Sequence, residues 1–574
     1  MRSMAQLTVS RRTSFNYADA LVLLGITVAL YGCLRLALYA PAEIRGPQIS
    51  LSPAALPHYA LLSVARMAAA YLLSLLFSLG YGYIAAHNKN AEKVMLPILD
   101  VLQSIPILSF LPVVLLGLAA ILPEAWAAEM ASIALILTSQ AWNMTFSVYQ
   151  SLTTVPRELQ EAAAVFRLGR WLRFRRLELP FATIGLIWNS MMSWSGGWFF
   201  LMAAETFAVG KRNFRLPGLG SYLYEAANQG NMHAVLWGLG ALVLVIILLD
   251  QLIWRPALVW GNRFKLETVQ GEEAPTSWFY DLLERSTMVE WFTKRVIEPL
   301  SEAVDRLFLP RPEPSPRPPV PRGWKVATAA VRYAALAMAG TVLVYGGVRA
   351  AQLLLTLPLT AWGWIGLGVL ATGLRVVLAL LIATAWTLPV GVSIGTNRRL
   401  ATVLQPVVQM VASIPATALF PVVLLFLVGL PGGLNLAAIL LMLMGTQWYA
   451  LFNIIAGAAA IPEDLRYTTA MLRLGRWERW RAFILPALSP YLITGLITAG
   501  GGAWNASIVA EYVAFGGQKY QTLGIGALIA EATNTGNYAL LLGATLALVL
   551  TVVLLNRLFW RRLYAYAAER CRLE

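Results

Sequence analysis

The chain has almost no cysteine: Cys33 and Cys571 are the only two in 574 residues. One sits in an apolar run and the other in the C-terminal tail, which leaves neither a disulfide framework nor a thiolate metal site. Histidine is nearly as scarce. His58, His87 and His233 stand alone, none with a Cys, Asp or Glu at ligand spacing, so no metal is expected. Charged residues make up 13% of the chain, about half the ~25% usual in a soluble domain. No G-x-x-x-x-G-K-[ST] loop occurs, which removes that route to cradling a nucleotide phosphate. We therefore expect no enzymatic activity and no cofactor bound by this chain itself.

Within the small charged fraction, acid is in deficit: 29 Asp and Glu stand against 44 Lys and Arg, a net charge of +15. A separate basic domain would suggest nucleic acid. Here the basic residues lie beside apolar segments instead, as in Arg11, Arg12, Lys89, Lys93, the Arg167–Arg176 run, Arg561 and Arg562. Membrane proteins concentrate Lys and Arg in cytoplasmic loops, so the excess reads as topology, and no nucleic-acid partner is expected.

What the chain has in abundance is apolar sequence: 58% hydrophobic residues and a mean hydropathy of +0.64. Six segments in the first half, at about 17–40, 57–86, 96–121, 128–150, 180–204 and 233–254, are long enough to cross a bilayer. The second half repeats them at about 327–355, 365–394, 403–430, 434–459, 486–510 and 538–557. Some 20 such residues in a helix cross ~30 Å of hydrocarbon. The expected fold class is an all-α polytopic membrane protein with about 12 transmembrane helices, embedded in a lipid bilayer. Placing Arg2, Arg11 and Arg12 in the cytoplasm puts both termini and both Arg-rich loops on that side, as the positive-inside rule asks. An even number of spans per half makes the two halves parallel, unlike the inverted repeats of many secondary transporters.

The halves repeat in detail. Pro156–Pro180 and Pro462–Pro486 share 12 identities in 25 aligned positions, 306 residues apart. Unrelated segments would share about one or two, so the chain is an internal duplication. Arg66, Asn88, Ser104, Pro106 and Pro112 match Arg375, Asn397, Ser413, Pro415 and Pro421 at an offset of 309, whereas Trp142 and Trp448 match at 306. The three-residue difference is expected between the third and fourth spans. The divisions are 1–255, a first domain with loop 156–180; 256–325, a linker; and 326–574, a second domain with loop 462–486. The linker ends in seven prolines within Leu309–Arg322, an extended spacer. Before them, Ser277–Phe308 carries Trp278, Leu282, Trp291 and Val296 among charges. This pattern fits either an amphipathic helix on the inner membrane face or against a partner, or a plain solvated linker helix.

Each repeated loop looks like a docking element. A short helix is predicted over Leu159–Phe166, with Glu158 near its start, where negative charge suits the helix dipole. Ala162, Ala163 and Ala164 keep its surface low, Gly169 permits a turn, and Trp171 and Phe174 pack back on the membrane face. Gly475, Trp477 and Trp480 repeat the arrangement.

Glu161, Ala162, Ala163, Leu179 and Pro180 match the EAA-x3-G-x9-I-x-LP signature at its spacing. On these residues the chain resembles the permease subunits of ABC importers. Ser104-Ile105-Pro106, Ser413-Ile414-Pro415, Trp194–Phe200 (WSGGWFF) and Gly501–Glu511 resemble the nitrate, sulfonate and taurine branch. The resemblance covers nearly everything outside the linker. It implies two tandem type I importer permease domains. Glu161, Ala162, Ala163 and Gly169, with Tyr467, Thr468, Thr469 and Gly475, would contact an ABC ATPase dimer that holds the ATP and Mg. An extracytoplasmic solute-binding protein would deliver a small solute, nitrate-, sulfonate- or bicarbonate-like, across a bacterial or archaeal cytoplasmic membrane. The signature glycine is replaced by Arg167 and Arg473, and Glu-Ala-Ala by Tyr467-Thr468-Thr469. Unequal loops leave room for two different ATPase chains.

By the same resemblance the fifth spans flank the pathway. They carry Asn189, Ser193, Ser195 and Trp198, then Trp504, Asn505 and Ser507. Such groups either hold a loosely bound anion or join helices by hydrogen bonds. Arg66 and Arg375 in the second spans join the pathway candidates, because an intramembrane cation is costly, unless each snorkels outward. Glu205/Glu511 and Glu225/Glu531 suggest an outer gate or receptor-docking loop. An ion-gradient-driven transporter with parallel repeats is the alternative reading.

Overall fold

The computed structural model describes residues 17–39, 46–209, 212–264, 276–308, 322–427, 429–459, 461, 471, 475–515 and 518–570. The first half runs α1 (Tyr17–Ala37), α2 (Leu56–His87), α3 (Lys89–Ser104), α4 (Leu111–Ala119), α5 (Glu124–Thr153), α6 (Arg157–Val165), α7 (Arg170–Arg173) and α8 (Leu179–Glu205). A small hairpin, β1 (Ala208–Val209) with β2 (Arg212–Asn213), leads to α9 (Leu219–Asn228), α10 (Met232–Leu249) and α11 (Arg255–Asn262). The linker holds α12 (Trp278–Glu284), α13 (Thr287–Phe292) and α14 (Glu298–Phe308); its proline run, 309–321, lies outside the described residues.

The second half follows the same order: α15 (Arg322–Leu355), α16 (Leu359–Thr396), α17 (Arg398–Ala412), α18 (Ala416–Leu427), α19 (Gly433–Ala459), α20 (Arg476–Arg479) and α21 (Leu485–Ala510). The hairpin β3 (Tyr512–Phe515) with β4 (Gln518–Gln521) precedes α22 (Ile525–Thr535), α23 (Tyr538–Leu555) and α24 (Arg561–Arg570). Among the described residues two antiparallel hairpins add to the helices, and the sequence pattern did not predict them.

Recurring residues explain the shared boundaries. Asn88 ends α2 and caps α3, its side chain accepting from Asn90 N and Ala91 N; Asn397 does the same for α17 with Arg399 N and Leu400 N. Asn231 and Asn537 cap α10 and α23. The preceding Gly230 and Gly536 have φ of 66° and 69°, the left-handed region that costs glycine nothing. The Leu-Pro entries to the fifth spans follow π turns at Phe174–Glu178 and Trp480–Ile484. A wide turn there gives Pro180 and Pro486 room, since proline neither donates to nor tolerates the carbonyl one turn back.

The span count differs from the expected twelve. Eight helices among the described residues are long and apolar enough to cross a membrane, or nine if one bent pair forms a single span. α5 (30 residues) and α8 (27 residues) have the length, but their Trp, Ser, Asn and Gln content lowers their hydropathy. The third spans, expected to be continuous over 96–121 and 403–430, are broken at Ser-Ile-Pro. Ile105 is extended, at φ −83° and ψ 130°, as a residue before proline prefers. In the second half the two pieces meet at 69°.

Within each half three long helices pack together: α2, α5 and α8, and correspondingly α16, α19 and α21. Without a hydrophobic drive between helices in lipid, close approach has to come from small residues. A β-carbon on Gly82 would meet Val148, and one on Gly391 would meet Ile454, each at 2.7 Å. The halves also share their interior. Leu30, Leu34 and Val113 belong to one cluster with Leu424, Trp504 and Leu541. Ile107, Leu108 and Leu111 pack with Ile508 and Val509. Two duplicated halves thus form one packed unit.

Candidate functional site

A cavity of about 1350 Å³ lies between the halves. It is walled by α8 on one side and by α17, α18 and α19 on the other, and it reaches Asn262, Thr396 and Ala459, the last at the end of α19 where the second repeated loop begins. Along α8 the lining residues Ile184, Ile187, Met191, Ser195 and Phe199 recur at helical spacing, as one face of a helix must. From the cavity wall Ser195 Oγ shares a hydrogen bond of 2.9 Å with Ser413 Oγ of the other half. Gln409 Nε2 donates to Met191 Sδ at 2.7 Å. Among the lining residues the charged ones are Asp250 and Arg255, which pair at 3.0 Å. Among the described residues the wall thus carries no net charge, with amide, hydroxyl and aromatic groups set among aliphatic side chains.

Of the nine pathway candidates, the structure brings Ser195 and Asn505 to this wall. Asn505 Oδ1 accepts from Leu108 N at 3.3 Å, joining the fifth span of the second half to the broken third span of the first. Asn189 is half-buried and donates to Gly185 O of its own helix at 2.9 Å. Ser193, Trp198, Trp504 and Ser507 are buried in helix packing, and Ser507 Oγ donates to Trp504 O at 2.8 Å. These residues face away because only one side of each fifth span borders the cavity. Sequence reading missed Gln405, Gln409, Trp448, Tyr449 and Asn453. The available signal was a pair of glutamines four residues apart in an apolar segment.

Arg66 and Arg375 do not border the cavity or snorkel; both are locked in ion pairs at the opposite end of the spans. Arg66 Nε and Nη2 bind the Glu129 carboxylate at 2.7 and 2.8 Å, and Nη1 reaches Glu205 Oε1 and Pro217 O, each at 2.8 Å. Glu205, fully buried, also accepts from Ser63 Oγ at 2.6 Å and Gly220 N at 2.7 Å. Its carboxylate thus serves an otherwise unpaired N–H in the first turn of α9 and complements that helix's dipole. The second half repeats this. Arg375 Nη1 meets Glu511 Oε1 at 2.7 Å, Thr372 Oγ1 donates to Glu511 Oε1 at 2.7 Å, and Gly526 N donates to Oε2 at 2.9 Å. Asn435 stands where the first half has Glu129, with its Oδ1 2.7 Å from Arg375 Nη2. Gly218 and Gly524 admit the carboxylates, since a β-carbon at either would overlap them. A cation paired in this way is not free for a passing anion. The clusters also confine the three-residue change of offset to between Pro112 and Glu129.

At the other end lies the first repeated loop. α6 spans Arg157–Val165, with Glu158 in its first turn. Glu161 and Ala162 are exposed, but Ala163 is buried against the chain itself. Val165 and Phe166 are 79% and 77% exposed, an apolar tip with no cover. The turn after α6 falls on Arg167, not on Gly169. Arg167 has φ 47°, and Leu168 N bonds back to Ala163 O at 3.0 Å, closing the helix as glycine usually does. Arg167 stands at the position of the signature glycine and adopts the left-handed conformation that a glycine takes most easily. Gly169 (φ −62°, ψ 161°) instead caps α7, with Arg173 N donating to its carbonyl at 2.9 Å. In the second loop Tyr467, Thr468 and Thr469 lie outside the described residues, while Gly475 caps α20 as Gly169 caps α7. Trp171, expected against the membrane face, bonds to the linker.

Residues 78–253 and 387–570 each match the profile of the binding-protein-dependent transport system inner membrane component. The chain is 30% identical over 185 residues to the nitrate import permease of Leptolyngbya laminosa, covering 32% of this chain and 62% of that protein. It is 33% identical over 159 residues to a bicarbonate transport system permease of Synechococcus elongatus, covering 28% and 54%. With the taurine transport system permease of Escherichia coli it shares 24% over 158 residues, covering 28% and 54%. The chain thus spans less than two thirds of the length of each of these relatives.

Proposed function

Because the chain belongs to the family of binding-protein-dependent transport system inner membrane components, we propose that it is the fused permease of an ATP-binding-cassette importer for a small anion. The observation that carries this reading is the cavity between the two family domains, which reaches Ala459 at the entry to the second loop and sets uncharged hydroxyl, amide and aromatic groups among aliphatic side chains. Hydroxyl, amide and aromatic groups hold an anion weakly enough for it to leave again; a free arginine would trap it. The relatives named for nitrate, bicarbonate and taurine support an anionic cargo.

In this reading the loop-bearing end is cytoplasmic, together with both termini and the linker. The exposed Val165 and Phe166 at the end of α6 meet one subunit of an ATPase pair, and the second loop meets the other. ATP and Mg²⁺ are bound by those subunits. A solute-binding protein docks on the opposite face, where the buried Arg–Glu clusters hold α9 and α22 rigid. Reconstitution with the ATPase and binding protein in vesicles tests the proposal. ATP-dependent uptake of a labelled anion, with hydrolysis stimulated by the loaded binding protein, is expected. Uptake that persists without the ATPase and collapses with an ion gradient would overturn it.

A further inference from the structure

The two loops re-enter the membrane on the same local plan. Gly169, α7, the π turn at 174–178 and Pro180 recur 306 residues later as Gly475, α20, the π turn at 480–484 and Pro486. Four residues apart, Trp171 and Arg175 share one face of this segment, and Trp477 and Arg481 are their counterparts. In the first half that face is covered by α14 of the linker. Trp171 Nε1 donates to Asp305 Oδ1 at 3.0 Å. Arg175 pairs with Asp305, donates to Ser301 Oγ, and reaches Ser301 O at 3.2 Å. In the second half the same two side chains are exposed, Trp477 at 73%.

We propose that the Trp477–Arg481 face is a docking surface for an acidic helix of a partner protein, gripped as Asp305 is gripped in the first half. One carboxylate would accept from both the indole N–H and the guanidinium. The chain itself shows what covers such a face, because the first copy is seated with its occupant. Charge agrees: residues 473–481 hold Arg473, Arg476, Arg479 and Arg481 against Glu478 alone. Glu478 is already engaged, accepting from Gly475 N at 3.0 Å. Tryptophan and arginine are also the side chains that most often anchor protein interfaces. α14 is committed to Trp171 and Arg175, so a second helix has to come from outside the described residues.

The full-length chain in nanodiscs provides the test. In a Cys33→Ser, Cys571→Ser background, Ala482→Cys is incubated with a peptide of residues 298–308 carrying Ser301→Cys, and disulfide trapping is followed. Trapping is expected at position 482 and not at an Arg562→Cys control. Asp305→Asn in the peptide should slow it by about tenfold or more, the worth of a hydrogen bond to a charged group. Arg481→Glu should abolish trapping, and Asp305→Arg in the peptide should restore it, which separates recognition from loss of fold. Equal trapping of the Asp305→Asn peptide, or no rescue by the charge swap, would overturn the proposal. So would a spin label at position 482 that headgroup-attached relaxing agents reach equally with and without peptide, which would assign the face to lipid.

Discussion

Glu205 and Glu511 occupy equivalent places in the two halves, yet neutralising them should cost different amounts. In both, Oε1 accepts from a hydroxyl and a guanidinium while Oε2 accepts from a backbone N–H. A glutamine can supply one such oxygen, so its NH₂ group meets a donor in either orientation. Glu205→Gln still leaves Arg66 bound bidentately by Glu129 at 2.7 and 2.8 Å. The loss is that of a charge-assisted hydrogen bond, about 1.5–3 kcal/mol. Glu511→Gln leaves Arg375 with the Asn435 amide, the Thr522 hydroxyl and the Leu523 carbonyl. A buried cation stripped of its counter-charge costs about 3–5 kcal/mol. At roughly 2–4 °C per kcal/mol for a domain of this size, the apparent Tm of Glu511→Gln should lie some 3–8 °C below that of Glu205→Gln in the same detergent. Equal midpoints, or a lower one for Glu205→Gln, would refute the reasoning. The double variant Glu129→Gln/Glu205→Gln strips the first half of both carboxylates and should fall at least as far as Glu511→Gln.

Arg167→Gly should tighten the turn after α6, whereas Arg167→Val should cost about 1–2 kcal/mol, because a left-handed residue cannot easily carry a branched β-carbon; amide exchange at Leu168 reads the difference. Asp305 is held below the usual carboxylate range chiefly by its hydrogen bond from Arg175. Its contribution is therefore complete above the unfolded value of about 3.9 and is lost as pH falls through the lower folded value. Spin labels at Leu172→Cys and Glu302→Cys should keep a constant separation from pH 7 to 5 and move apart only in stronger acid, or at neutral pH in Asp305→Asn. Gln409→Leu removes an amide from the cavity wall and should raise the KM for the transported anion on the order of 2- to 12-fold with ATPase assembly intact; an unchanged KM would remove Gln409 from the pathway.

The duplication was legible because it is written residue by residue, and the recurrence of Asn88, Asn397 and Ser-Ile-Pro was part of it; that Ser-Ile-Pro breaks the third spans was not read. The recurrence of Arg66 with Arg375, and of Glu205 with Glu511, was also visible. That they are each other's partners was not, since 139 and 136 residues separate them along the chain. Nothing local in a sequence records a pairing of that kind, and a lone intramembrane arginine then looks available for cargo. For the polar residues of the fifth spans the sequence left two roles open, anion contact and hydrogen bonding between helices, because it does not record which face of a helix meets a cavity. Only the face carrying Ser195 and Asn505 borders the cavity. The displaced glycine misled for a different reason. Sequence reasoning assigns a left-handed turn to the nearest glycine, whereas here the hydrogen bonds that close α6 impose it on Arg167.

The interior shared by the two halves has a consequence for how the protein is made. Leu108 on the broken third span finds Asn505 across 397 residues of chain. Translation at ~5–20 residues per second places about 20–80 s between the emergence of those partners. For that interval Ile107, Leu108 and Leu111 face lipid or the insertion machinery rather than Ile508 and Val509. A ribosome that stalls within the linker would release a half-protein with one finished surface and one raw one. Timing of synthesis, as much as the final fold, then becomes a property on which this fused chain depends.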